Sequence, residues 1–280
     1  MKWLITGGRG QLGRCLADEL ASRSINDVVQ LSRSDLDICN QMAINAALAR
    51  HRPDVLVNAA AYTAVDAAEH DEESAFSANA VGPGFLARAA AARGIRFVHV
   101  STDYVFDGAG SSPYPEDAPP DPQCAYGRTK LAGETAVLAA NADALIVRTA
   151  WVFSEYGKNF LKTMLRIADR PELRVVDDQR GSPTDARHLG QAIIAGIEHG
   201  LTGLAHYSDR PEVSWADFSE AIFQRAYTLG RVDRIPNIIR IRSDEFPSPV
   251  KRPAYSVLAN NRIPFQANWR ESLDRVISSA

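Results

Sequence analysis

Cysteine is scarce in this chain: three in 280 residues, at Cys15, Cys39 and Cys124, scattered and odd in number. None belongs to a Cys-x-x-Cys pair, so the pattern supports neither a disulfide framework nor thiolate metal binding. Long hydrophobic runs are missing too. The opening Met1-Lys2-Trp3-Leu4-Ile5-Thr6-Gly7 is apolar for only a few residues, too short for a signal-peptide core or a membrane span. No later stretch reaches membrane length without charges. Excess charge of one sign is absent, and a formal net charge of -3 gives no electrostatic ground for a nucleic-acid partner. There is no internal repeat and no low-complexity tract. Together these absences predict a protein of a reducing, cytoplasmic setting with neither membrane nor nucleic acid as partner. Hydrophobic residues at 45% and charged residues at 23% are ordinary for a folded chain that buries one large core or two packed lobes.

Short apolar runs alternate with longer helical patterns, the rhythm of βαβ units around a parallel sheet. Strands are predicted at Trp3–Thr6, Val28–Leu31, Val55–Asn58, Phe97–Ser101 and Ala144–Arg148. Helices are predicted at Gln11–Ser22, Gln41–Arg50, Glu73–Arg93 and Tyr126–Ala140. The Gly108–Gln123 stretch, rich in Pro, Gly, Ser and Asp, is a long loop of the kind that carries function. Beyond Ala150 the rhythm loosens into helices at Asn159–Ala168 and Ala186–His199 and a strand at Leu173–Val176. The five-proline stretch Pro236–Pro264 reads as loops and edges. The fold class is α/β: a Rossmann-type doubly wound parallel sheet with a smaller C-terminal substrate-binding lobe. The Rossmann domain is expected to take residues 1–151, with roughly 184–206 returning to it, and the lobe 152–183 and 207–280.

The first strand runs into Thr6-Gly7-Gly8-Arg9-Gly10-Gln11-Leu12-Gly13, a glycine loop between a strand and a helix. Glycine permits the tight turn, lets the backbone approach a pyrophosphate at the helix start, and lets helix and strand pack closely. The second strand ends in Leu31-Ser32-Arg33-Ser34-Asp35-Leu36-Asp37-Ile38. Arg33 is the first charge past the strand, with hydroxyls on both sides, which favours the extra phosphate of NADPH. Asp35 or Asp37 on the ribose or adenine is the alternative and would serve NADH.

Two segments carry the chemistry. Ser101-Thr102-Asp103-Tyr104-Val105-Phe106-Asp107-Gly108 lies at the carboxyl end of a predicted strand, where open α/β sheets bind ligands. Tyr126-Gly127-Arg128-Thr129-Lys130 opens a helix and puts Tyr126 and Lys130, four apart, on one face. A nearby ammonium favours the phenolate, lowers the phenol's pKa and suits Tyr126 to proton transfer. Lys130 also has the reach for the nicotinamide ribose hydroxyls, and Thr102 offers a hydroxyl to the substrate oxygen. This set meets the needs of carbonyl reduction: Tyr126 donates the proton and Thr102 orients the oxygen.

The glycine loop, Asn58-Ala59-Ala60-Ala61-Tyr62 and Tyr126-x-x-x-Lys130 together resemble the extended short-chain dehydrogenase/reductase family. Within it the chain is most similar to the dTDP-4-dehydrorhamnose reductases. That resemblance is carried by the blocks Asn58–Asp66, Ser101–Gly108, Arg148–Phe153, Gly181–Thr184 and Arg252–Leu258, spread over the whole chain. It implies NADPH-dependent reduction of the 4-keto group of dTDP-4-dehydro-L-rhamnose, a dTDP-linked 4-keto-6-deoxyhexose, to dTDP-L-rhamnose, with Tyr126, Lys130 and Thr102 as the catalytic set. It implies that Gly10, Gln11, Leu12, Asp37, Ile38, Ala60, Ala61 and Tyr62 line the cofactor site, and that Thr102, Asp103 and Trp151 touch the sugar nucleotide. An aromatic face at Trp151 suits a sugar or base, with plain core packing as the alternative. Lys158, Arg180 and Arg252 are the candidates for the diphosphate. Some relatives form a magnesium-bridged dimer through glutamates in the first helix and in the helix after the Gly-x-Pro-Thr block. Cys15 and Arg187 stand there instead, neither a hard-cation ligand, so no such metal is expected and the chain is read as a monomer or weak homodimer. The rival readings are a reductase of another nucleotide sugar, a regulatory subunit without turnover, and an epimerase or dehydratase holding NAD tightly.

Overall fold

The structure, a computed structural model, describes residues 1–279. Its centre is a six-stranded, wholly parallel sheet. Five of its strands are β1 (Trp3–Thr6), β2 (Val28–Leu31), β3 (Val55–Asn58), β4 (Arg96–Thr102) and β5 (Leu145–Thr149). The sixth, Gly203–His206, was not expected and pairs alongside β5, which gives the order Gly203–His206, β5, β4, β3, β1, β2. The strand reading succeeds because a parallel strand covered on both faces is a continuous apolar run. In β1 and β3 every residue is buried.

One apolar layer joins β1, β3 and β5 to the helices α1 (Gln11–Ser22) and Ala186–Glu198, through Leu16, Leu20, Leu189 and Ile193. The opposite layer joins Leu4, Leu56 and Ile146 to α2 (Gln41–His51), through Ile44 and Leu48, and to helix Gly82–Ala91 through Leu86. A separate apolar cluster holds Phe153, Leu161, Leu173, Phe218, Phe223 and Trp269, away from the sheet. No helix among the described residues is long and apolar enough to cross a membrane.

Three further elements depart from the sequence reading. The single helix expected at Glu73–Arg93 is α-helical over Glu72–Phe76 and Gly82–Ala91, with a π-helical turn, Ser77–Val81, between them. That widened turn turns Asn79 inward, where its Oδ1 accepts from Tyr62 N (2.8 Å) and its Nδ2 donates to Tyr62 O and Thr129 Oγ1 (both 3.1 Å). Helix Trp215–Thr228 was not expected, although Ser214 and Asp217 form a capping box at its start. Asn237–Ile241, inside the proline-rich stretch, is a strand paired in parallel with Glu172–Val176.

Candidate active site

The glycine loop closes tightly after β1. Gly7 adopts φ +68°, and a side chain there would meet the Ala59–Ala60 backbone within 2.6–2.7 Å. A side chain on Gly13 would strike Gly7 O at 2.5 Å, so only glycine lets α1 start this close to the strand. Gly10 caps α1 without a side-chain hydrogen bond, leaving the first-turn N–H groups for an anionic ligand. Leu12 is buried in the core, whereas Gln11 Oε1 accepts from Ser154 Oγ (3.0 Å) and Asn159 Nδ2 (2.9 Å). Gln11 thereby ties the loop to the segment after β5.

Past β2, Arg33 is exposed in a turn that Asp35 holds by accepting from Ser32 N at 2.9 Å and from Ser32 Oγ. Those bonds hold the Asp35 carboxyl below its usual range and occupy it locally. Asp37 is likewise turned to its own loop, accepting from Cys39 N at 3.0 Å. Ile38 is buried against Gly82. Ala60 and Ala61 are half-buried after β3, and Tyr62 packs with Tyr126 on a small apolar cluster of Ala68, Ala75 and Ala125.

The structure brings Thr102, Asp103 and Tyr126 together. Thr102 ends β4 and Tyr126 stands in the first turn of helix Ala125–Ala140. Thr102 Oγ1 donates to Asp103 Oδ1 at 3.0 Å and accepts from Tyr104 N at 3.2 Å. Asp103 Oδ2 is buried without a hydrogen-bond partner, and burial pushes its carboxyl up to about 6. The Ser256 hydroxyl sits near enough to favour the charged form, yet Ser256 Oγ is itself buried without a well-formed hydrogen bond. Tyr126 is partly exposed and packs edge-on against Tyr104, with centroids 5.5 Å apart.

The pair Tyr126 and Lys130 departs from the expected electrostatics, in which the ammonium lowers the phenol. Burial pushes the Tyr126 phenol upward, the Thr102 hydroxyl works against that, and Asp103 adds to it. Lys130 turns to β4 instead, donating to Val100 O at 2.7 Å with its Nζ 3.3 Å from His99 Nε2. Burial lowers Lys130 to about 8, with Glu134 opposing. Sequence reasoning missed His99 and Asn58 as parts of this site, although Asn58 opens the Asn-Ala-Ala-Ala-Tyr block.

On the other side, Trp151 takes φ +47° directly after β5 and stacks flat on Trp215. One of its faces is therefore occupied by protein. Arg252 pairs with Asp66 (2.8 Å) and its Nη1 donates to Tyr104 Oη at 3.3 Å. It lines a small cleft with Tyr104, Phe106, Cys124 and Lys251. Arg180 pairs with Glu212 at 3.3 Å, and Lys158 is exposed beyond Ser154. Cys15 and Arg187 both face Glu155, whose carboxylate is also paired with Arg275. A cavity of about 610 Å³ lined by His188, Arg210, Phe265 and Asn268 contains none of the candidate catalytic residues.

A family model described as the RmlD substrate binding domain matches residues 1–280. A dTDP-4-dehydrorhamnose reductase of Aggregatibacter actinomycetemcomitans is 41% identical, over 98% of this chain and 97% of that protein. A probable dTDP-4,6-dihydroxy-2-methyloxan-3-one 4-ketoreductase of Streptomyces antibioticus is 44% identical, over 98% and 93%. Among solved structures, the dTDP-4-dehydrorhamnose reductase of Bacillus anthracis in complex with NADP superposes with a TM-score of 0.93. It shares 35% identity, with 100% of both chains covered.

Proposed function

The chain belongs to the dTDP-4-dehydrorhamnose reductase family, and we infer that it reduces the 4-keto group of dTDP-4-dehydro-L-rhamnose with NADPH, giving dTDP-L-rhamnose. The observation that carries this reading is the grouping of Thr102, Asp103 and Tyr126 at the carboxyl end of the sheet whose first strand bears the glycine loop.

The residues present fit a dinucleotide. The glycine loop excludes side chains on Gly7 and Gly13, the start of α1 is uncapped, and Arg33 is free of ion pairing with Asp35, which is engaged by Ser32. Gly7, Gly10, Gln11, Leu12 and Gly13 would hold the diphosphate end, Arg33 the 2′-phosphate, and Ala60, Ala61, Tyr62 and Lys130 the nicotinamide half, with Asp37 and Ile38 beside the adenosine. When bound, NADPH supplies the hydride. Tyr126, kept protonated by burial, gives its proton to the oxygen developing negative charge. Thr102 donates its one hydrogen to Asp103 Oδ1, and its hydroxyl stands near enough to Tyr126 to favour the phenolate. As Tyr126 loses its proton, the Thr102 hydrogen turns from the carboxylate to the phenolate and steadies it.

We assign the sugar nucleotide to residues 152–183 and 207–280, with Trp151 at their edge and Arg252 the best-placed of the three diphosphate candidates beside Tyr104. A second reading keeps the chemistry and changes the sugar, because a dTDP-4-keto-6-deoxy-D-glucose reductase of Streptomyces niveus, 42% identical over 97% of this chain and 91% of that protein, is as similar as the rhamnose enzymes. Specificity constants measured side by side on dTDP-4-dehydro-L-rhamnose and dTDP-4-keto-6-deoxy-D-glucose separate the two. A preference for the first upholds the reading, and a preference for the second replaces it.

A further inference from the structure

Four buried side chains run in a line beneath the catalytic set: Thr6 from β1, Asn58 from β3, His99 from β4 and Lys130 from helix Ala125–Ala140. None is more than 2% exposed. Who donates and who accepts along this line follows from two fixed points. The Ala60 N–H can only donate, and it donates to Asn58 Oδ1 at 3.2 Å, where Thr6 Oγ1 also donates at 2.6 Å. The Asn58 amide is thereby oriented, so its Nδ2 donates to His99 Nδ1 at 2.9 Å. A neutral imidazole whose Nδ1 accepts carries its hydrogen on Nε2. An imidazolium would set two donors against each other at Nδ1, and burial in any case holds His99 well below its ordinary pKa. At the other end Val100 O can only accept, and it takes a hydrogen bond from Lys130 Nζ at 2.7 Å. Lys130 Nζ is therefore faced, at 3.3 Å, by an N–H.

We propose that His99 is a positioning residue for Lys130, its Nε2–H donating to the uncharged amine and opposing the ammonium, so that Lys130 gives up and regains a proton easily during turnover. The lysine keeps its bond to Val100 O in both states, since an amine still has hydrogens to donate, and only the His99 contact changes sign. Other groups around Lys130 act in known directions. Glu134 on its own helix favours the ammonium, but Glu134 is itself held by Arg148 of β5, at 2.7–2.9 Å. Tyr126 lies one turn earlier, beside Asp103 at the end of β4. The inference rests on the reading of Tyr126 and Lys130 as members of one catalytic set, in which turnover falls once Lys130 can no longer hold its proton.

The test is an NMR titration of protein labelled at the lysine ε-carbons, with the Lys130 signal assigned by its loss in Lys130→Arg. Two substitutions separate the halves of the imidazole. His99→Asn keeps an acceptor for Asn58 and removes the N–H facing Lys130; His99→Gln keeps an N–H at that distance. The Lys130 pKa is expected to rise by about one pH unit in His99→Asn, the size of one lost buried contact, and to stay near its native value in His99→Gln. The alkaline limb of kcat should move up with it. Nitrogen NMR of the native chain should show the His99 hydrogen on Nε2, a readout that needs no variant to fold. An unmoved Lys130 pKa in His99→Asn, or a native hydrogen on Nδ1, overturns the proposal. A Lys130 pKa that moves in a protein inactive on every 4-keto sugar upholds it while overturning the functional reading beneath it.

Discussion

Trp151 lies flat on Trp215, with ring centroids 3.4 Å apart and planes 6° from parallel. The stack joins the end of β5 to the first residue of helix Trp215–Thr228, and Trp215 Nε1 is fixed on Gln179 Oε1 at 3.2 Å. Beneath it, a side chain on Gly181 would meet the Trp151 indole at 2.4 Å. Trp215→Leu removes an aromatic pair worth about 1 kcal/mol. It should lower the melting temperature slightly and raise KM for the sugar nucleotide several-fold while NADPH affinity stays the same. Steady-state kinetics in both substrates would show it; an unchanged sugar KM would return Trp151 to plain core packing.

Tyr126→Phe removes the proton donor and little else. Turnover should fall by about 10²–10⁴-fold, the range for a general acid. Fluorescence titration should show NADPH binding within a few-fold of native. An unimpaired rate would strip Tyr126 of its role.

Arg33→Ala should weaken NADPH far more than NADH, since the guanidinium stands exposed at the end of β2 with Asp35 turned to Ser32. Dissociation constants for both cofactors would show the asymmetry. Equal losses would make Arg33 a solvated loop charge.

Asp103 gives a pH-dependent prediction. Its carboxyl is raised by burial to about 6 in the folded chain against 3.8 for the free group. The folded state therefore binds the proton more tightly, and stability is lost as pH rises between those values. Asp103→Asn removes that cost, so its melting temperature should match the native chain near pH 4 and exceed it at pH 7, by an amount on the order of 2 kcal/mol. Melting curves across the range would read it, and a gain present equally at pH 4 would contradict the burial account.

Arg148 and Glu134 form a bidentate pair, side chains 2% and 3% exposed, with Nε–Oε1 at 2.9 Å and Nη2–Oε2 at 2.7 Å. Glu134→Leu alone strands a buried guanidinium and should cost about 3–5 kcal/mol. Adding Arg148→Met should recover much of that loss, as denaturant titration would show.

The sheet was legible because β1, β3 and β5 are short apolar runs bounded by turns, and the cofactor loop because only glycine fits at Gly7 and Gly13. Thr102 and Tyr126 were legible as residue types at a strand end and a helix start. The inward turn of Asn79 was not, since it depends on Tyr62 and Thr129 from elsewhere in the chain. Nor was the direction of Lys130: i, i+4 spacing sets a common face but cannot say that the ammonium turns down to Val100 and His99. Likewise the stack on Trp215 arises from two segments more than sixty residues apart. The Ser214–Asp217 capping box, by contrast, stood in the sequence unread.

The most direct test of the account is NADPH oxidation with dTDP-4-dehydro-L-rhamnose generated in situ by a dehydratase and an epimerase. The account predicts absorbance loss that requires the epimerase, with dTDP-L-rhamnose as product. No oxidation by a protein that binds NADPH would contradict it.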